Sequence, residues 1–183
     1  MSYCKFCETK DPEEVNRLYH DTQYGFPIDS DDELFGRLIL EINQAGLSWQ
    51  TILMKQENFR LAFDHFSIEK IANYDQAKIE ELLQNQGVIR NKLKINAAIH
   101  NAKEVLSLQK EHGSFKNWIE LNDPKSKEEW VKLFKKNFKF VGGEIINEFL
   151  MSAGYLKGAH EKTCAIFDVV LQSKPNWLKH ENK

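Results

Sequence analysis

Between Ser30 and Trp49 the sequence spells out a helix start, an apolar helix and a sharp stop, and this run constrains the fold more than any other. Ser30 with Glu33 three residues later has the pattern of a capping box, and Leu34, Phe35, Leu38, Ile39 and Ile42 follow at helical spacing. The spacing predicts a helix over 31–45. On it Leu34, Leu38, Glu41 and Ala45 share one stripe, so Glu41 lies among apolar residues, with Leu40 and Ile42 as its chain neighbours. A carboxylate there is costly to bury unless paired, and burial raises its pKa. Gly46 suits the left-handed turn that ends a helix, and Ser48 suits the cap of the next, beginning at Trp49. Two readings of Glu41 follow from the pattern: a structural carboxylate bonding a buried amide, or a pocket acid that meets a ligand, with Trp49 as one wall.

The rest of the chain reads the same way. An acidic first turn at Asp11-Pro12-Glu13-Glu14 predicts a helix over 11–24 that carries Tyr19 and His20 and ends before Gly25 and Pro27. A third helix from Trp49 aligns Ile52, Leu53, Gln56, Phe59 and Phe63. Ser67 and Asp75 are caps for helices over 68–73 and 76–85, and another spans 91–108. A second capping box, Ser126 with Glu129, precedes Trp130, Leu133 and Phe134 on a further helix. Phe138-Lys139-Phe140-Val141 alternates and is expected to be extended; Gly142-Gly143 then opens a helix that Gly154 stops. The expected class is all-α. At 183 residues and 42% hydrophobic content the chain makes one domain, 1–183. No apolar run approaches the ~20 residues needed to span a bilayer, so no membrane association is expected. The first residues lack an apolar signal core, which predicts a cytoplasmic protein.

Net charge is −2, giving no global attraction to nucleic acid. Yet Val88–Lys103 holds Arg90, Lys92, Lys94 and Lys103 with no acid, and 131–143 holds Lys132, Lys135, Lys136 and Lys139 with no acid. Such runs are commonly solvated faces; they also suit a polyanion. The break at Gln86-Gly87-Val88-Ile89-Arg90 between two amphipathic helices reads as a helix-hairpin-helix unit over about 75–108. Gly87 there would let the turn approach a phosphate, with Arg90 and Lys92 opening the second helix. An ordinary αα-hairpin has the same outline.

Cys4-x₂-Cys7, His20 and His160-x₃-Cys164 are soft ligands with zinc-like local spacing. Four of them would close a tetrahedral site joining the ends of the chain, 1–25 and 155–183. Three inert thiols and two surface histidines is the alternative.

Several of these pieces together resemble the bacterial DNA-3-methyladenine glycosylases of type I. They are Tyr19-His20-Asp21, Gly25-Phe26-Pro27, the run Leu40–Trp49 with its Gln-Ala-Gly-Leu-Ser-Trp, Gly87–Ile95, Phe138–Gly142 and His160-x₃-Cys164. The resemblance implies an all-helical, helix-hairpin-helix glycosylase fold with a structural zinc on Cys4, His20, His160 and Cys164, leaving Cys7 as the rival ligand. It implies that Tyr19 and Trp49 stack on an extruded base whose edge Glu41 hydrogen-bonds, Glu41 being the candidate catalytic acid. Gly87, Arg90 and Lys92 would contact DNA. The implied activity is monofunctional hydrolysis releasing free 3-methyladenine from alkylated double-stranded DNA, by a monomer. No aspartate occurs between Asp75 and Asp123, in keeping with the type I enzymes. Three departures stand out: Tyr24 in place of the family's usual tryptophan, a short connection between Trp118 and Phe138, and Gly143-Glu144 where proline and threonine are common. Two other classes compete, a zinc-stabilised DNA-binding module without catalysis and a zinc hydrolase. A closed four-ligand site disfavours the hydrolase.

Overall fold

The computed structural model describes residues 2–180, and no strand occurs among them. The first helices are α1 (Tyr3–Glu8), α2 (Val15–Thr22), α3 (Asp31–Gln44), α4 (Trp49–Leu53), α5 (Gln56–Ala62) and α6 (Ile68–Ala72). After them come α7 (Gln76–Gln84), α8 (Lys92–His112), α9 (Phe115–Asn122), α10 (Lys127–Asn137), α11 (Gly143–Ser152) and α12 (Phe167–Gln172).

The molecule is built around α3, in which every residue from Leu34 to Asn43 is buried. A helix enclosed on all sides needs neighbours to satisfy its ends as well as its faces. At its N-terminus Asp31 accepts from the backbone N–H groups of Phe115 (2.7 Å) and Lys116 (2.9 Å) and from the Gln109 amide (2.7 Å). Asp32 accepts from the N–H of Ile68 at 3.0 Å. The acids of its first turn thus cap α9 and α6. At its C-terminus the buried Lys94 ammonium donates to the carbonyls of Asn43 and Ala45, both at 2.8 Å. Burial lowers the pKa of Lys94. Lys94 therefore leaves the basic surface to which its sequence neighbourhood assigns it. Along the helix, Gly36 admits Phe66: a Cβ there would lie 2.4 Å from that ring. A second layer holds Phe115, Trp118, Phe134, Phe138 and Phe149, whose rings pack at centroid distances from 5.3 to 6.4 Å.

Several expectations shift in detail. Ser30 caps α3, but Glu33 does not reach back to it; its carboxylate pairs with Arg60, so only half the box forms. Ser126 and Glu129 make the complete box. The helix expected from residue 11 starts at Val15, because the Glu14 carboxylate takes the N–H of Asn16 and acts as the cap. The helix from Trp49 is interrupted at Met54–Lys55, where the N–H of Lys55 turns back to the carbonyl of Ile52 and its ammonium reaches the carbonyl of Gln86. The stretch 138–141 has no strand partner; the Asn101 amide grips it, accepting from the N–H of Lys139 (2.7 Å) and donating to its carbonyl (3.1 Å). Helices α1, α9 and α12 escaped the sequence reading, the first being too short for its periodicity to register.

The pair α7–α8 forms a helical hairpin, with Asn91 capping α8 through the N–H groups of Leu93 and Lys94. Gly87 is favoured by packing, since a Cβ would lie 3.0 Å from the Asn58 side chain, and its N–H is taken by the Asn85 side chain at 2.8 Å. Arg90 and Lys92 are exposed at the turn.

Removing the Asp31 carboxylate strands two helix-end N–H groups at once. Asp31→Ala is expected to lower unfolding free energy by about 2 kcal/mol, read as a fall in the urea midpoint at unchanged slope.

Candidate functional site

A cavity of about 350 Å³ opens between the C-terminal turn of α3, the start of α4, α1, α2 and α11. Tyr3, Tyr19, Tyr24 and Trp49 supply its aromatic surface, and Glu41, Glu144, Glu148 and Gln44 its polar one. Each side chain arrives for a local reason. Glu41 sits on α3 one turn beyond Arg37. Gly46, with φ +83°, turns the chain sharply after α3, and Ser48 caps α4 so that Trp49 faces the opening. Glu144 and Glu148 are one turn apart on α11.

Glu41 is 4% exposed, and no described residue hydrogen-bonds it. Burial, opposed by the Arg37 guanidinium and assisted by the Glu148 carboxylate, pushes its pKa up to about 8. The structural reading, in which Glu41 bonds a buried amide, thus finds no partner here. Arg37 is engaged elsewhere, donating to the Tyr19 hydroxyl (3.1 Å) and the Ser152 carbonyl (3.3 Å), with its guanidinium 5.0 Å from the Tyr19 ring centroid. The rings of Tyr19 and Trp49 meet edge to face, centroids 5.2 Å apart at 66°. The Tyr24 hydroxyl donates to Glu148 at 3.1 Å, and burial raises the pKa of that acid too. Glu144, at the mouth, pairs with Lys127 at 2.9 Å. A cavity with one buried and one half-buried carboxylate and four aromatic rings suits a flat, cationic, hydrogen-bonding guest. Arg37 and Glu148 were not singled out from the sequence; the i−4 and i+4 spacings to Glu41 and Glu144 were the available signals.

A larger cavity, about 520 Å³, borders α3 at Gly36, Arg37 and Leu40. Its buried and half-buried charged side chains are paired within the protein, Arg60 with Glu33 and Arg37 as above, and Glu57 is exposed to solvent.

Beside the aromatic cavity, Cys4, His20, His160 and Cys164 are all buried, with ligand atoms within 4.8 Å of one another, a cluster that could hold a metal ion. The histidines are oriented for it. His20 turns Nδ1 to the Asp21 carboxylate (2.6 Å), leaving Nε2 at 3.6 Å from the Cys164 sulfur. His160 turns Nε2 to the Tyr24 carbonyl (2.7 Å), leaving Nδ1 at 3.6 Å from the same sulfur and 3.9 Å from that of Cys4. An outer oxygen fixing the far nitrogen of each imidazole is the arrangement metal-ligating histidines adopt, so the donor set fits a soft divalent cation. Cys7, the rival, lies outside the cluster with its thiol toward the Asn16 carbonyl at 3.6 Å. Gly25 permits the approach, since at φ +83° a Cβ would meet Ala159 at 2.8 Å and His160 at 3.3 Å.

A helical frame holding an acid in an aromatic cavity, with a hairpin presenting basic residues, has clear counterparts. The methyladenine glycosylase family model matches residues 8–125. The DNA-3-methyladenine glycosylase of Haemophilus influenzae is 34% identical over 155 residues, 74% of this chain and 84% of that protein. DNA-3-methyladenine glycosylase 1 of Escherichia coli is 32% identical over 168 residues, 81% and 89%. A solved 3-methyladenine DNA glycosylase I carrying a Tyr-to-Phe substitution, in complex with 3-methyladenine, superposes with a TM-score of 0.79 at 31% identity, covering 91% of this chain and 97% of that one. The chain belongs to the methyladenine glycosylase family, in its type I branch.

Between pH 4.5 and 8 the folded chain keeps on Glu41 a proton that the unfolded chain has released. Stability therefore falls as pH rises through that window. Glu41→Gln is expected to flatten this fall and to raise the thermal midpoint at pH 9 by about 5 °C, measured by calorimetry.

Proposed function

We propose that this protein removes 3-methyladenine from alkylated double-stranded DNA by hydrolysing its N-glycosidic bond, without a lyase step. The observation that carries the reading is Glu41: a buried acid with no internal partner, facing an aromatic cavity, in a chain of this family. A methyl on N3 gives the base in DNA a positive charge. The nucleotide must leave the stack to reach such a cavity. Aromatic faces attract the cation, and its arrival favours the ionised form of Glu41, which can then accept hydrogen bonds from the base edge. Neutral adenine lacks that charge, so selection rests on charge and fit. As the bond from the sugar carbon to the base breaks, its electron pair passes to the base, which leaves neutral. Water bonds to the sugar carbon and gives up a proton. No aspartate lies between Asp75 and Asp123 to assist that carbon, so the reaction relies on the lability of the charged base.

Tyr19 and Trp49 are the aromatic contacts in this reading. Their edge-to-face meeting leaves no slot of the roughly 7 Å a base needs between two faces, so the base lies against the pair. Zinc is the ion proposed for Cys4, His20, His160 and Cys164; with all four positions filled by protein it would supply structure and no reactive water. Arg90 and Lys92, at the hairpin turn with Gly87, are proposed to hold the phosphate backbone. Action as a monomer in the cytoplasm accords with this role.

Chromatography of bases released from methylated duplex DNA tests the reading. 3-Methyladenine should appear and 7-methylguanine should stay, and Trp49→Ala should release little of either. Release of 7-methylguanine alone would overturn the assignment. Glu41→Gln should keep fold and DNA affinity while its preference for the cationic base falls about ten-fold. Arg90→Ala with Lys92→Ala should flatten the dependence of log DNA affinity on log salt by nearly two, leaving affinity for the free base unchanged.

A further inference from the structure

The three tyrosines of the aromatic cavity are each joined to a member of the Cys/His cluster. Tyr3 directly precedes Cys4, Tyr19 directly precedes His20, and the carbonyl of Tyr24 receives the hydrogen bond from His160. The rings interlock as well. Tyr3 stands edge-on to Tyr24 (5.4 Å, 85°) and to the His20 imidazole (5.7 Å, 71°), while Tyr24 lies 5.7 Å from the His160 ring. Tyr3 belongs to α1, a helix of six residues, too short to persist by its own hydrogen bonds. Three ties bind α1 to α2: the Asn16 carbonyl accepts from the Tyr3 hydroxyl at 3.2 Å and from the Cys7 thiol at 3.6 Å, and Arg17 donates to the Cys7 carbonyl at 3.2 Å. A further tie is Cys4, whose partners His160 and Cys164 come from the other end of the sequence.

From this arrangement we infer that Tyr3 is a further base-contacting residue, a third aromatic wall of the cavity, and that the metal cluster positions it along with Tyr19 and Tyr24. The inference rests on reading the cavity as the base site. It fills a gap in that reading. Tyr19 and Trp49 touch each other and cannot enclose a base, so the opposing surface must come from elsewhere, and Tyr3 and Tyr24 are the rings that line the same space. The cluster then does more than join two ends of a chain. Its sulfur at Cys4 fixes the turn that carries Tyr3, and its imidazoles fix the backbone directly after Tyr19, at His20, and at Tyr24, through His160.

The test is calorimetric titration of the metal-loaded protein with free 3-methyladenine and, in parallel, 7-methylguanine and 3-methylguanine. It is run on the wild type, Tyr3→Ala and Tyr3→Phe, with metal content and far-ultraviolet circular dichroism followed throughout. Tyr3→Ala is expected to retain its metal and helix content and to lose about ten-fold in affinity for whichever base the wild type binds, one large aromatic contact being worth roughly that much. Tyr3→Phe keeps the ring and should bind like the wild type. The wild type stripped by a chelator should keep most of its helical signal while base affinity falls at least as far as in Tyr3→Ala. Wild-type affinity in loaded Tyr3→Ala overturns the contact, and full affinity in the folded, metal-free protein overturns the positioning. Should the stripped protein unfold, independent positioning is overturned and loaded Tyr3→Ala still decides the contact. If the wild type binds 7-methylguanine in place of 3-methyladenine, the substrate reading fails while Tyr3 is scored on the base that binds. If none binds, both fall.

Discussion

A helix enclosed on every side is the constraint from which the rest of this molecule follows. Ten consecutive buried residues in α3 are flanked by half-buried ends, and those ends are tied to neighbouring helices by exchange of hydrogen bonds. Asp31 and Asp32 give acceptors to the first N–H groups of α9 and α6, and Lys94 gives donors to the last carbonyls of α3. Each of these bonds also fixes the position of a second helix. Burial of α3 thereby dictates where α6, α8 and α9 may lie, and the hairpin that carries Arg90 and Lys92 is pinned to the turn that leads to Trp49.

The same enclosure gives the site its character. Three polar side chains are buried within α3. Asn43 bonds back to the carbonyl of Ile39 at 2.8 Å, and Arg37 spends its donors on Tyr19 and Ser152. Glu41 alone is left without a bond, and it is the one that borders the aromatic cavity. A fold that satisfies its other charges this carefully while leaving one carboxylate waiting holds that carboxylate at a cost in stability, offset when a cation arrives.

Much of this could be read from the chain. Ser30, Ser48, Ser67, Asp75 and Ser126 all cap helices where the sequence placed them, because capping is a local interaction whose donor and acceptor lie within three residues. The stripe that put Glu41 among apolar residues was legible for the same reason. What escaped was long-range. The Glu33 carboxylate had a local partner in Ser30 and took Arg60, 27 residues away. The alternation at 138–141 suggested a strand, but the partner is one asparagine side chain on α8. Lys94 looked like one more surface charge, since nothing local announces that an ammonium will cap a helix 50 positions earlier. Cys7 shares a motif with Cys4, yet α1 directs the two thiols apart, and only the folded helix shows which of them meets His160.

The Asp31 carboxylate, the Lys94 ammonium and the aromatic layer all join segments that leave the ribosome within about the first 150 residues. The Cys/His cluster does not, for two of its members stand at 160 and 164. During synthesis, then, a chain can assemble its helical core and expose its hairpin well before the corner holding Cys4 and His20 has anything to close against. That corner closes only once the segment carrying His160 and Cys164 has reached it.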